Sequence, residues 1–123
     1  MADTLTQKII GAAIEVHRHL GPGLLESIYE EALCIEFDLR NIVEYARQKP
    51  IDVTYKGHVI KGQRLDLLIE DEVVVELKAI NHPQMDLIMA QLLSYLHATQ
   101  LKRGLIINFN AKKLVDGVKR VSA

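Results

Sequence analysis

Asp66, Glu76 and Lys78 are charged residues set inside two otherwise apolar runs, Leu65 to Ile69 and Val73 to Ile80. Charged side chains are seldom buried without partners, so their presence there asks for a chemical reason. Side chains alternate faces along an extended chain, which groups Leu65, Leu67 and Ile69 against Arg64, Asp66 and Leu68. On the second run Glu76 and Lys78 share a face with Val74, about 7 Å apart. If Glu70-Asp71-Glu72 is a hairpin loop, Ile69 pairs with Val73, which sets Asp66 opposite Glu76 and Arg64 opposite Lys78. Opposed residues have Cβ atoms roughly 5 Å apart, and two carboxylates at that distance repel unless a proton or a cation lies between them. Mg²⁺ or Mn²⁺ suits such hard oxygen donors, since Mg²⁺ takes one or two carboxylates and completes its shell with water and phosphate oxygens. Such an ion lowers the pKa of water and offsets charge on a phosphodiester, while Lys78 could orient the water or stabilise developing negative charge. The competing reading is a cross-strand ion-pair network on a solvated sheet face; on spacing alone the two stand nearly level, the ion pairs slightly ahead.

Other polar residues bear on that balance. Gln91 and Tyr95 lie four apart on one stripe with Gln84 and Ile88, so two polar groups project from one helix face toward its packing side. Buried amides and phenols need partners, although a Tyr in that position commonly serves as a core aromatic with a satisfied hydroxyl. Glu26 is a third carboxylate, three residues before Tyr29 and at a helix start, where the dipole alone would also favour an acid. His17, His19, His58, His82 and His97 show no zinc-ligand spacing, and no phosphate-binding glycine loop is present. The lone Cys34 reads as a small core residue.

The elements that must position these groups can be read in order. Leu5, Ile9, Ala12, Ala13, Val16 and Leu20 recur at helical spacing after a cap at Asp3 or Thr4, and Gly21-Pro22-Gly23 ends the helix. Leu24, Leu25, Ile28, Ala32, Leu33, Ile35 and Leu39 predict the buried stripe of a second helix ending near Arg40 and Asn41, with Glu30, Glu31, Glu36 and Asp38 outside. From Val43 to Ile60 the period becomes two around Lys56-Gly57-His58, predicting two short strands in an outer hairpin. Gln63 to Ile69 and Val73 to Ile80 are the central strands. A helix from Gln84 to Thr99, carrying Leu87, Ile88, Leu92, Leu93 and Leu96, leads to the strand Gly104 to Phe109, and strand-helix-strand makes a right-handed parallel unit. Lys112 to Ala123 has a weak pattern that could add an edge segment.

Composition sets the frame. The 123 residues suit one compact domain over residues 1–123, ordered throughout, with 49% hydrophobic and 25% charged residues. No apolar run reaches the roughly 18 residues of a membrane span, and Met1 to Leu20 lacks a signal-peptide pattern, so a cytoplasmic protein with no membrane association is expected. The net charge of -1 divides unevenly: residues 102–123 hold six basic residues against Asp116 alone, a net of +5, against -6 elsewhere. Short basic clusters are usually solvated surface, and one in this position could also meet phosphates. Leu- and Ile-rich helices on a small domain leave room for a homodimer surface.

Gly23-Leu24-Leu25-Glu26-Ser27-Ile28-Tyr29 matches the pattern G-x-x-E-x-x-Y, and Arg64-Leu65-Asp66-Leu67-Leu68, Val75-Glu76-Leu77-Lys78-Ala79, Gln91-Leu92-Leu93-Ser94-Tyr95-Leu96 and Gly104-Leu105-Ile106-Ile107-Asn108-Phe109-Asn110 follow in order. Over nearly its whole length the chain resembles the GxxExxY proteins, a group within the PD-(D/E)XK nuclease superfamily. The resemblance implies a restriction-endonuclease-like α/β core in the order α-β-β-β-α-β, with a mixed sheet flanked by helices. It also implies Asp66 and Glu76 as metal-binding acids, Lys78 as the motif lysine, Gln91 and Tyr95 as the helix motif Q-x-x-x-Y, and Glu26 as a helix acid facing the site. Leu65 stands where the superfamily name has Pro. The activity so implied is Mg²⁺- or Mn²⁺-dependent hydrolysis of DNA or RNA, against the alternative of a catalytically silent nuclease-fold binding or regulatory module, because a fold does not fix a function.

Overall fold

The computed structural model describes residues 3–41 and 43–123, which leaves Met1, Ala2 and Ile42 outside it, the first two being part of the segment weighed above as a leader. Helix α1 runs from Thr4 to Leu20 and α2 from Glu26 to Arg40. Strands β1 (Tyr45–Tyr55), β2 (His58–Ile69) and β3 (Val73–Lys78) follow, then α3 (Met85–Thr99), β4 (Arg103–Asn108), a 3₁₀ turn at Leu114–Gly117, and β5 (Val118–Ser122). The five strands lie side by side in sequence order, antiparallel except for β3 and β4, whose parallel pairing is bridged by α3. This is the expected mixed sheet in the expected element order, with the C-terminal segment added as an edge strand on β4.

Each face of the sheet is covered by helix. On one side Ile9, Ala12, Ala13 and Val16 of α1 and Tyr29, Leu33, Cys34 and Phe37 of α2 pack on Leu67, Val75, Leu77, Leu105 and Ile107. On the other, Leu92, Tyr95 and Leu96 of α3 pack on Leu65, Leu68, Val74 and Ile106. Asp3 caps α1, its carboxylate accepting from the N–H groups of Leu5 and Thr6 at 3.1 and 3.3 Å, and Cys34 is a core residue as expected.

Four expectations need correction. The buried stripe of α2 is Tyr29, Glu30, Leu33, Cys34 and Phe37, whereas Leu24, Leu25, Ile28, Ile35 and Leu39 are exposed. Apolar residues occupy two faces of this helix, and the aromatic face wins because Tyr29 and Phe37 fill more of the core. Glu30, assigned to the outer face, is buried. Leu87 of α3 is also exposed. Last, β2 is one strand from His58 to Ile69 rather than a short hairpin strand followed by a central one. A bulge near Asp52, with Gly62 at a φ of 115°, absorbs the irregularity that had looked like a break.

Candidate active site

The site begins with a defect in the ladder between β2 and β3. Regular pairing covers Ile69 with Val73, Leu68 with Val74 and Leu67 with Val75, and then stops. Beyond it side chains replace the backbone bonds. The Asp66 N–H donates to Glu76 Oε2 at 2.9 Å, and the Leu77 N–H donates to Asp66 Oδ2 at 2.8 Å. The two strands part at this point without orphaning a buried donor. The count that set Asp66 opposite Glu76 therefore describes their neighbourhood well, while the expected Arg64–Lys78 pair does not form. Arg64 instead pairs with Pro50 on β1, and Lys78 with Asn108 on β4.

The alternation of faces also slips here. Leu65 and Leu68 both pack under α3, although they stand three positions apart, which strict alternation would place on opposite faces. Ala46 and Ile51 do the same on β1. Between them stand Asp66 and Gln48, cross-strand neighbours in the β1–β2 register, and Gln48 has a φ of 49°, in the left-handed region. A twist at this pair frees Asp66 from the strict inside-outside rule, and its carboxylate can lie along the sheet and bond to β3. Leu65, expected on the face of Leu67, lies on the other for this reason.

A cleft of about 480 Å³ opens where the strands part, lined by Glu26, Ser27, Glu30, Gln48, Asp66 and Leu77. Glu26, the first residue of α2, faces Asp66 and Lys78 closely enough to feel both charges. Desolvation and the Asp66 carboxylate raise its carboxyl pKa, and Lys78 opposes the rise. Tyr29 holds this helix start in place. Its hydroxyl donates to Gly21 O at 2.5 Å and accepts from the Leu24 N–H at 3.1 Å, and its ring stacks on Phe109 with centroids 4.4 Å apart. The G-x-x-E-x-x-Y segment thus joins a turn anchored by Tyr29 to an acid at the cleft.

Glu76 is the buried member of the pair, 7% exposed. Burial, and then the Asp66 charge, push its carboxyl up to about 8. Lys78 is half-buried, shares the cleft's electrostatics with Glu26 and Glu76, and forms no ion pair among the described residues. The cross-strand network of Asp66, Glu76, Arg64 and Lys78 is therefore not what these charges make. Tyr95 is buried behind the pair, its hydroxyl accepting from Gln63 Nε2 at 2.7 Å, and burial together with the charges of Glu76 and Asp66 raises its pKa. Gln91, one turn earlier on α3, is exposed and its side chain forms no hydrogen bond among the described residues.

Two residues that line the cleft, Glu30 and Gln48, were not singled out for the site by the sequence reading, and Arg47 holds one of them. Glu30 accepts from Arg47 at 3.1 and 3.2 Å and from Gln48 Nε2 at 2.7 Å, and the same Gln48 nitrogen lies 3.5 Å from Asp66 Oδ1. Counting back from the two-residue turn at Lys56-Gly57 sets Gln48 opposite Leu65; only the bulge moves it to Asp66.

Among the described residues no group of three or more His, Cys, Asp or Glu is placed to hold a metal ion. Asp66 and Glu76 each keep one carboxylate oxygen free of backbone bonds, Oδ1 and Oε1, a donor pair of the kind Mg²⁺ accepts when water and phosphate complete its shell. The chemistry of the donors fits a divalent cation. No curated protein and no solved structure matches the chain. A family model for the PD-(D/E)XK nuclease superfamily matches residues 3–121. With the mixed sheet, its flanking helices and the acid pair at the parted strands, this match makes the chain a member of the PD-(D/E)XK nuclease superfamily with a restriction-endonuclease-like α/β fold.

Proposed function

We propose that this chain is a metal-dependent nuclease, of the GxxExxY group, that hydrolyses phosphodiester bonds of DNA or RNA. The observation that carries the reading is the exchange of side-chain and backbone bonds between Asp66 and the Glu76-Leu77 segment, which holds two carboxyl groups together with Asp66 on an open cleft, while Lys78 forms no ion pair among the described residues. Structural ion pairs neutralise each other, whereas here the Asp66 charge and burial oppose ionisation of Glu76, and a divalent cation would take the place of the proton that Glu76 otherwise keeps. Bound Mg²⁺ or Mn²⁺ would supply charge neutralisation at the phosphate and acidify water.

In this reading Asp66 and Glu76 hold the ion, fixed by the Leu77 and Asp66 N–H groups. Lys78 orients the attacking water and stabilises charge developing on the phosphoryl oxygens. As water oxygen bonds to phosphorus, one P–O ester bond breaks, a water proton passes to solvent and the departing oxygen takes one up. Glu26, with its raised pKa, is suited to carry a proton at the cleft. Tyr95 supports Glu76 from the α3 side, and Gln91 contacts substrate.

The test is cleavage of single-stranded, duplex and structured nucleic acids in Mg²⁺ or Mn²⁺ by the wild type and by Glu76→Ala and Lys78→Ala. The variants should lose roughly 10²-fold or more. Equal rates from all three would reject catalysis. A second reading, a silent binding or regulatory module, draws on the unengaged Gln91 and the absence of a three-ligand cluster among the described residues. It expects no cleavage and partner binding that survives loss of Asp66 and Glu76.

A further inference from the structure

Gln48 sits in β1 with a φ of 49°, a conformation that a side chain with a Cβ resists, and it does so directly across from Asp66. Such strain persists where the surroundings impose it. Here they are Glu30 and Arg47. Arg47 grips Glu30 Oε2 through Nε and Nη2 at 3.2 and 3.1 Å and reaches Glu31 Oε2 through Nη1 at 2.8 Å, leaving Glu30 Oε1 for Gln48. An ionised carboxylate only accepts, so the Gln48 amide must turn its NH₂ group toward Glu30, at 2.7 Å. The second hydrogen on that nitrogen is then the one available to Asp66 Oδ1, at a long 3.5 Å.

We propose that Gln48 is a positioning residue for Asp66, setting the carboxylate oxygen that the Leu77 N–H leaves free toward the cation. The proposal rests on the metal-site reading above. Asp66 Oδ2 is fixed by β3 and Oδ1 is oriented by β1, so both ends of the carboxylate are held from neighbouring strands. Glu30, pinned by Arg47, fixes the amide in turn. Partners of this kind around a ligand typically change metal affinity 10- to 100-fold when removed.

The experiment is Mn²⁺ calorimetry, with electron paramagnetic resonance of free Mn²⁺ as a second count, on the wild type, Gln48→Gly and Gln48→Met, each with a thermal unfolding curve. Glycine adopts the left-handed backbone freely, so Gln48→Gly should keep the thermal stability of the wild type while losing the amide. Methionine keeps the length of the side chain without its hydrogens. Both should weaken Mn²⁺ binding by about 10-fold or more, with the loss of affinity independent of any change in unfolding temperature. Wild-type affinity in a folded variant would overturn the role of Gln48 alone. No Mn²⁺ binding by the wild type would overturn the metal site and this role with it.

Discussion

At the scale of the residue, the account turns on a carboxyl kept from ionising. Glu76 titrates near 4.5 in an unfolded chain and near 8 in the folded one, because burial and then the Asp66 charge oppose its ionised form. Between those values the folded state binds a proton that the unfolded state lacks, so stability falls as pH rises. The contribution is fully present below about pH 4.5 and is lost as pH passes through about 8. In chelator, wild-type unfolding free energy should therefore decline from pH 5 to 8.5 relative to Glu76→Gln, followed by urea titration; parallel profiles would contradict the assignment. The meeting of Asp66 and Glu76 was legible in the sequence, because charges inside apolar runs need a reason and the hairpin count sets the two opposite each other. Gln48 and Glu30 were not, since a polar residue on a polar hairpin and an acid on an acidic helix carry no such mark. Their roles arise from a bulge and a helix rotation that no local pattern encodes.

At the scale of the element, α2 shows what periodicity can and cannot give. Its bounds were readable from the Gly21-Pro22-Gly23 break and the Arg40-Asn41 end, but both of its apolar rows fit a helical stripe, and only docking against the sheet selects Tyr29, Leu33 and Phe37. α3 and β4 were clearer, with Pro83 before one and a continuous apolar run marking the other. The hairpin was partly legible: Lys56 and Gly57 both have positive φ, as a tight hairpin turn requires, while the length of β2 was hidden by Gly62. Within α2 the hydroxyl of Tyr29 fastens the turn that presents Glu26. Tyr29→Phe keeps the stack on Phe109 and removes two hydrogen bonds, so it should lower unfolding free energy by roughly 1–2 kcal/mol in urea with an unchanged slope. An unaltered midpoint would mean that stacking alone secures the turn.

At the scale of the whole molecule, the sheet is arranged so that its parallel centre and its antiparallel flank meet at the site. β3 pairs with β4 in full register from Val73 to Lys78, yet with β2 only from Val73 to Val75. The last three residues of β3 thus lack backbone partners on the β2 side, where the carboxylates of Asp66 and Glu76 stand in for the ladder. Helices on either face supply Glu26 from one side and Tyr95 from the other. Among the described residues no helix is long and apolar enough to cross a membrane. The element order could be read from the sequence almost entirely, but the parting of β2 from β3 could not, because it depends on carboxylates taking the place of a ladder. The most direct measurement is a crystal grown with Mn²⁺ and its anomalous difference map. The account predicts one peak in the cleft, ligated by Asp66 Oδ1 and Glu76 Oε1; a map without a peak there, or with Mn²⁺ bound only elsewhere, would contradict it.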